Sequence, residues 1–465
     1  MKIDEKAFRS TARDTIWDER LKGAYASAMQ RSRGARAAAL EQVSDVEGMR
    51  DELKQIRAAT VANLSEHLQE FERNATQAGA QVHWAQGKED LAKIVLEIAR
   101  QQNARRVVKS KSMVSEEVHL NQILEEVGIQ VVETDLGEYI IQLAGETPSH
   151  IIGPAIHKTA GQVADLFAKH IGQRVDSTPS SLTKVARRTL RQIFLEADIG
   201  ISGVNFGVTE SGSIVLVTNE GNGRMVTSLP KVHIAVMGIE RLATTWEEAG
   251  VWLSLLARFS TGQAFSVYTS VITGPAKPTE LDGPEQVHII LLDNNRGRIT
   301  GTKYEEVLQC IRCGACLSVC PVYIASGGHA YHSPYSGPIG AVISPLLFGL
   351  ENYKGLPNAS TLCGACLEVC PVRIDLPRML RELRVDQVEQ GLVPLPERVL
   401  EQTAARMLAT PRWMQVFFRL GRFGQLMMKL FNLKFNQFEQ YPMVAQKSFR
   451  EQWAALKEEP DEHQG

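Results

Sequence analysis

The seven cysteines of this chain all fall in two short runs late in the sequence. The first reads Cys310-Ile-Arg-Cys313-Gly-Ala-Cys316-Leu-Ser-Val-Cys320-Pro321, and the second Leu362-Cys363-Gly-Ala-Cys366-Leu-Glu-Val-Cys370-Pro371. Three thiols at three-residue intervals, then a fourth and a proline, is the spacing with which a chain grips cubane iron–sulfur clusters. In that arrangement the first three thiolates of a run bind one cluster and the fourth crosses to the other, tying two segments together. The second run keeps three of its four cysteines, and Ser360 stands at the place of the missing one. The Gly-Ala pair in each run leaves room for backbone N–H groups to approach sulfur and tune its potential. The proline that follows has no N–H and bends the chain away. A zinc site would favour two separate Cys-x-x-Cys pairs. Disulfides need an oxidising compartment, which the start Met1-Lys-Ile-Asp-Glu-Lys-Ala-Phe8, without an apolar signal stretch, gives no reason to expect.

Around these runs the chain reads as an ordinary soluble protein of two to four domains, with a net charge of −2 that draws it to no nucleic acid. No window approaches 18 uninterrupted apolar residues, so no transmembrane segment and a cytoplasmic location are expected. Residues 1–77 are rich in alanine, lack proline and carry apolar residues at helical spacing (Leu53, Ile56, Val61, Leu64, Leu68, Phe71). They read as a helical N-terminal region with a solvated charged face. Within it Arg31, Arg33 and Arg36 form a basic patch, either solvated or a phosphate or partner contact. From 78 to 300, short β-branched runs at 81–84, 106–109 and 129–133 alternate with helical periods, the rhythm of an α/β domain with an open, mostly parallel sheet.

The densest part of that domain, residues 197–224, holds short strands ending in glycine-rich polar turns, and such loops at a sheet's carboxyl edge bind ligands in open α/β folds. Glu210 is the candidate catalytic carboxylate there, with Glu220 beside it, unless both merely serve the turns. No dinucleotide fingerprint or phosphate loop supports nicotinamide or ATP binding. The cysteine runs lie in a region spanning 301–380. The long insert between the runs, 321–362, suits a helical ferredoxin domain better than a compact hairpin. Its His329 and His332 are candidates for proton handling or a partner contact. Residues 381–465 read as a helical C-terminal segment. Within it, 411–435 joins aromatic residues such as Trp413, Phe417 and Phe423 to Arg412, Arg419, Arg422, Lys429 and Lys434, with no acidic residue. Such a basic amphipathic helix docks on its own core, in a partner's groove, or peripherally on an anionic membrane.

Taken together, Gly203-Val-Asn-Phe-Gly-Val-Thr-Glu-Ser-Gly-Ser213, the two cysteine runs and Gly327-Gly-His-Ala-Tyr331 between them resemble the lactate utilization protein B family. The resemblance extends over essentially the whole chain. It implies an iron–sulfur subunit of a three-part bacterial system that oxidises L-lactate. It further implies a central LUD domain similar in fold to the ribose-5-phosphate isomerase and CoA-transferase group, followed by a two-cluster helical ferredoxin domain. The partners it implies are a CCG-domain iron–sulfur subunit and a second LUD-domain subunit. Carried over residue by residue, Cys310, Cys313, Cys316 and Cys370 match the ligands of one [4Fe–4S] cluster. Cys320, Cys363 and Cys366 match those of a second, whose fourth position, at Ser360, stays open. With no flavin or nicotinamide signature, the expected role is electron transfer within the complex rather than sole catalysis. Two other readings stand beside it: a LUD-domain enzyme acting through Glu210 on a CoA or sugar-phosphate-like substrate, with structural clusters, and a subunit of a related glycolate-type oxidase.

Overall fold

The structure, a computed structural model, describes residues 5–430, 445, 449, 452 and 453. The chain divides into two units, Met1–Gln387 and Val388–Gly465.

The larger unit begins with four helices, α1 (Glu5–Trp17), α2 (Glu19–Leu40), α3 (Val46–Ala62) and α4 (Leu64–Gln77). Two starts are fixed by aspartate caps: Asp18 accepts the N–H groups of Arg20 and Leu21, and Asp45 accepts that of Gly48. In α4 the residues at helical spacing, Leu64, Leu68, Phe71 and Ala75, are buried.

Ten strands follow: β1 (Gln81–Ala85), β2 (Arg106–Lys109), β3 (Gln130–Glu133), β4 (Ile199–Gly203), β5 (Phe206–Val208), β6 (Ser213–Thr218), β7 (Val232–Gly238), β8 (Leu242–Ala243), β9 (Tyr268–Ile272) and β10 (Gln286–Leu292). Six form a parallel sheet in the order β1-β10-β7-β4-β2-β3. Its middle strand β7 is buried at every residue, as expected where helices cover both faces of a parallel sheet. Alternation along the strands divides the core. Ile234 and Val236 of β7 and Ile290 and Leu292 of β10 join Leu91 and Val95 on one side. Ala235, Met237, Ile289 and Leu291 join Phe71 and Leu68 of α4 on the other. A second, smaller sheet in the order β8-β5-β6-β9 mixes parallel and antiparallel pairs. It was not expected from the sequence.

The insert between the cysteine runs folds into two helices, Pro321–Ser326 and Gly337–Phe348, the first of which packs closely against α1 and α2. Its glycine pair is dictated by that close fit. A side chain on Gly327, at φ +70°, would run into the Tyr25 ring, and a Cβ on Gly328 would lie 1.7 Å from the Ser149 carbonyl oxygen.

In the C-terminal unit, helices Leu395–Ala409 and Pro411–Leu430 pair with each other. Trp413, Phe417, Phe418 and Phe423 are exposed. Residues 431–435 of the basic segment, with Lys434, lie outside the described residues. No described helix is long and apolar enough to cross a membrane.

Candidate iron–sulfur centre

The two cysteine runs fold as conformational copies of one loop. Arg312 and Leu362 both take left-handed backbone angles (φ 60° and 54°), as do Gly314 and Gly364. A left-handed arginine or leucine is uncommon and marks a built turn. Each loop then enters a short helix, Ala315–Val319 in one and Ala365–Glu368 in the other. At the head of the first loop, the Cys310 Sγ accepts the N–H of Arg312 at 3.4 Å. At the head of the second, the Ser360 Oγ accepts the N–H of Leu362 at 3.1 Å. Ser360 therefore occupies in its loop the position that Cys310 occupies in the other.

Folding sorts the thiols into two groups. Cys310, Cys313, Cys316 and Cys370 line one small cavity, walled by Ile151, Ile339 and Ile374. This gathers the first three cysteines of one run with the last of the other. Burial pushes the Cys370 thiol up to about 11. It raises Cys313 and Cys316 further, with mutual repulsion among the thiols adding to the effect. Thiolates forced together in an apolar pocket need a cationic core to be stable there, and iron supplies it. Cys320, Cys363 and Cys366 lie outside that cavity, and charge on Cys363 raises the other two. Burial holds Cys366 at about 12, whereas exposed Cys363 is drawn down by the N–H of Ala365. Among the described residues no three His, Cys, Asp or Glu side chains converge on a single metal ion. A cubane does not require that convergence, because each of its thiolates meets a different iron. The donor set fits iron–sulfur chemistry.

Arginines from the N-terminal helices clamp this region. Arg36, buried, donates to Ser318 Oγ at 2.8 Å, inside the first run. Arg50 donates to the carbonyls of Glu368 (2.6 Å) and Cys370 (2.8 Å). Arg57 is fully buried and donates to the carbonyls of Leu242 (2.6 Å), Glu240 (2.7 Å), Leu308 (3.0 Å) and Gln309 (3.3 Å). Its guanidinium lies 4.4 Å from the centre of the Trp252 ring. From the α/β domain, Arg241 donates to the Cys310 carbonyl at 2.7 Å. Cations in this shell favour the more negative, reduced form of a cluster. The helical region expected to show a solvated charged face thus turns three arginines inward. The stripe 50, 53, 57, 60 of α3, buried throughout, carries two of them, and a charged residue on a buried helical stripe is the signal that would have found them.

The remaining candidates are placed apart. Glu210 is exposed on a short turn after β5, and its Oε1 accepts the Trp246 N–H at 2.8 Å. It serves the start of helix Trp246–Thr261 and lies outside the cavity of the α/β domain, which Glu220 lines. His329 bonds the Thr147 carbonyl (2.8 Å) and packs edge-on against His157, while His332 bonds Thr11 Oγ1 (2.9 Å). Both tie the insert to its neighbours. Arg31 and Arg33 stay exposed.

Two family models match parts of the chain. A LUD domain matches residues 68–292, and a 4Fe-4S dicluster domain matches residues 306–374. Lactate utilization protein B 2 of Bacillus mycoides (strain KBAB4) is 47% identical over 400 residues, 86% of this chain and 84% of that one. Lactate utilization protein B of Bacillus velezensis (strain FZB42) is 45% identical over 401 residues with the same coverage. A duf162 family protein of Deinococcus radiodurans, known from a crystal structure, aligns over 49% of this chain and 98% of its own at 15% identity and a TM-score of 0.28. That likeness is too slight to carry an argument.

Proposed function

Because the chain belongs to the lactate utilization protein B family, we propose that it is the iron–sulfur electron-transfer subunit of a complex that oxidises L-lactate to pyruvate, supporting growth on lactate. The observation that carries the reading is the sorting of the thiols, four around one cavity and three in a neighbouring group beside Ser360. Two [4Fe–4S] clusters bound there would supply one-electron acceptance and release. Cys310, Cys313, Cys316 and Cys370 hold the first site in a pocket walled by isoleucines. Cys320 and Cys366, both buried, and exposed Cys363 hold the second, and electrons would leave or enter at the Cys363 edge. Arg241 and Arg50, bonded to the carbonyls of Cys310 and Cys370, brace the ligand loops and hold positive charge beside them.

The partners in this reading are a CCG-domain iron–sulfur subunit and a second LUD-domain subunit, with the basic helix Pro411–Leu430 as a docking element. Free thiols reserved for iron suit a cytoplasmic location. The parallel sheet with a smaller second sheet fits a domain akin to the ribose-5-phosphate isomerase and CoA-transferase group. The competing enzyme reading rested on Glu210, whose carboxylate is engaged at a helix start and away from the cavity. Anaerobic reconstitution tests the proposal. About eight irons and eight sulfides per chain, falling by about half when Cys313 and Cys316 are both replaced by alanine, is the expected result. A full complement in that double variant would remove both cysteines from the ligand set.

A further inference from the structure

The two cysteine loops share a backbone but differ by a charge at one matching position. Arg312 in the first and Leu362 in the second both stand at the left-handed turn just before a cysteine. Leu362 is exposed, whereas the Arg312 side chain is 12% exposed and lines the cavity of Cys310, Cys313, Cys316 and Cys370. A cation in that wall, with little water to screen it, acts on the thiolates far more strongly than one at the surface. Its backbone adds to this, donating an N–H to the Cys310 Sγ at 3.4 Å.

A buried network fixes this side chain in place. The Arg312 guanidinium lies 4.5 Å from the centre of the Tyr335 ring, and its Nη2 lies 3.5 Å from Glu240 Oε1. The Tyr335 hydroxyl donates to Glu117, which also takes two bonds from Arg296, at 2.6 and 3.0 Å. Arg296 in turn holds Glu240 at 2.6 Å. The network positions Arg312 without giving it a counterion of its own. Glu240 is shared with Arg296, and neither Glu240 Oε1 nor Arg312 Nη1 has a hydrogen-bond partner among the described residues. Arg241, the next cation, gives its bonds to the carbonyls of Cys310 and Ile311, at 2.7 and 3.5 Å. Two guanidiniums thus stand beside Cys310 with one carboxylate, already engaged, close at hand. Negative charge on the thiolates completes the balance, since a buried cation short of a partner is costly.

We propose that Arg312, held by Glu240 and Tyr335, sets the reduction potential of the first site, and that Leu362 leaves the second site without this support. Accepting an electron adds one negative charge among the thiolates, and a fixed guanidinium in the wall favours that form. The α/β domain thereby acts on electron transfer through residues that touch no substrate: Glu240 follows β7, and Arg296 follows β10. The proposal rests on the relay reading for iron at the first site. Iron missing from that site would fail the relay reading, whereas iron present at an unmoved potential would fail this proposal alone.

The test is potentiometry of the full chain, purified anaerobically with its iron and followed by electron paramagnetic resonance. Signals are assigned to the first site by their absence when Cys313 and Cys316 are both replaced by alanine. At the wild-type midpoint of the first site, Arg312→Gln should lower the ratio of reduced to oxidised cluster at least about tenfold, a shift of about 59 mV for one electron. The second site should stay where it was. Arg312→Lys keeps the charge and should remain within about threefold of wild type. Circular dichroism and iron content establish that each variant is folded and loaded. If Arg312→Gln is not, Leu362→Arg decides, because it puts the same charge at the matching point of the exposed loop. It should raise the reduced fraction of the second site at least about twofold at low ionic strength, with the gain shrinking as salt is added. An unmoved first site in loaded Arg312→Gln, an equal fall in Arg312→Lys, or, where Leu362→Arg decides, an unmoved second site would overturn the proposal.

Discussion

Replacing Arg57 by leucine tests whether the N-terminal helices are part of the iron–sulfur unit or only packed beside it. The guanidinium is fully buried and is the donor to four backbone carbonyls, those of Glu240, Leu242, Leu308 and Gln309. Burial pushes it down to about 9, so it remains charged at neutral pH. Leucine leaves the four oxygens without that donor. At about 1 kcal/mol for each net hydrogen bond, the loss is about 4 kcal/mol, and desolvation of the orphaned carbonyls adds to it. Relief of the buried charge offsets part. Against a total stability of about 5–15 kcal/mol this is a large fraction, equivalent to a fall of roughly 5 °C in midpoint for a unit the size of Met1–Gln387. Two of the four carbonyls, Leu308 and Gln309, immediately precede Cys310, so iron retention should fall with stability. The assay is anaerobic thermal unfolding by circular dichroism, with hydrogen exchange read at residues 240–243 and 305–311. Arg57→Lys, with three donors in place of five, should recover part of the loss. Unfolding of Arg57→Leu within about 1 kcal/mol of wild type, with unchanged exchange in both segments, would refute the clamp.

Three further outcomes are expected. Glu220 titrates at about 7 in the folded protein against 4.5 for a free carboxyl. Its favourable contribution is full below the unfolded value and is lost as pH rises through the folded one. Urea midpoints of the wild type should therefore drop between about pH 4.5 and 7 more steeply than those of Glu220→Gln, with Glu138, at about 8, supplying residual slope. Parallel curves would show that the carboxyl is not buried in solution. At Ser360, the harder oxygen ligand or a bound water weakens the fourth corner of the second site. Air should thus convert that cluster to a three-iron form, which Ser360→Cys suppresses; resonance spectra identical in wild type, Ser360→Cys and Ser360→Ala would exclude the serine from the site. Reversing charge at Arg419 and Arg422 together should reduce co-purification with a companion subunit at unchanged iron content. Intact co-purification combined with lost binding to anionic vesicles would place the helix on a membrane instead.

What the sequence made legible followed from how local each feature is. The cysteine runs and the strands at 81–85, 106–109 and 130–133 are patterns of a few residues, readable from spacing and period alone. The second sheet was not readable, because β8 has two residues and β5 three, and their pairing depends on chain brought in from far away. The arginine clamp was hidden for the same reason: Arg57 bonds the Gln309 carbonyl across 252 positions. Glu210 drew attention because glycines and polar residues crowd around it. Those neighbours proved to shape a turn, while the cavity wall collects Lys111, Glu220 and Arg312 from three separate stretches of the chain. Ser360 was marked by spacing, and the structure adds that its loop repeats the conformation of the loop at Cys310.

The central claim is that this chain carries electrons derived from lactate through its cysteine-held clusters. Its most direct test is freeze-quench electron paramagnetic resonance on the anaerobic protein mixed with its companion subunits and L-lactate. Signals of reduced four-iron clusters on this chain should grow within the turnover time and be diminished in Cys370→Ser. Clusters that stay oxidised with L-lactate, yet are reduced by dithionite in the same sample, would contradict the account.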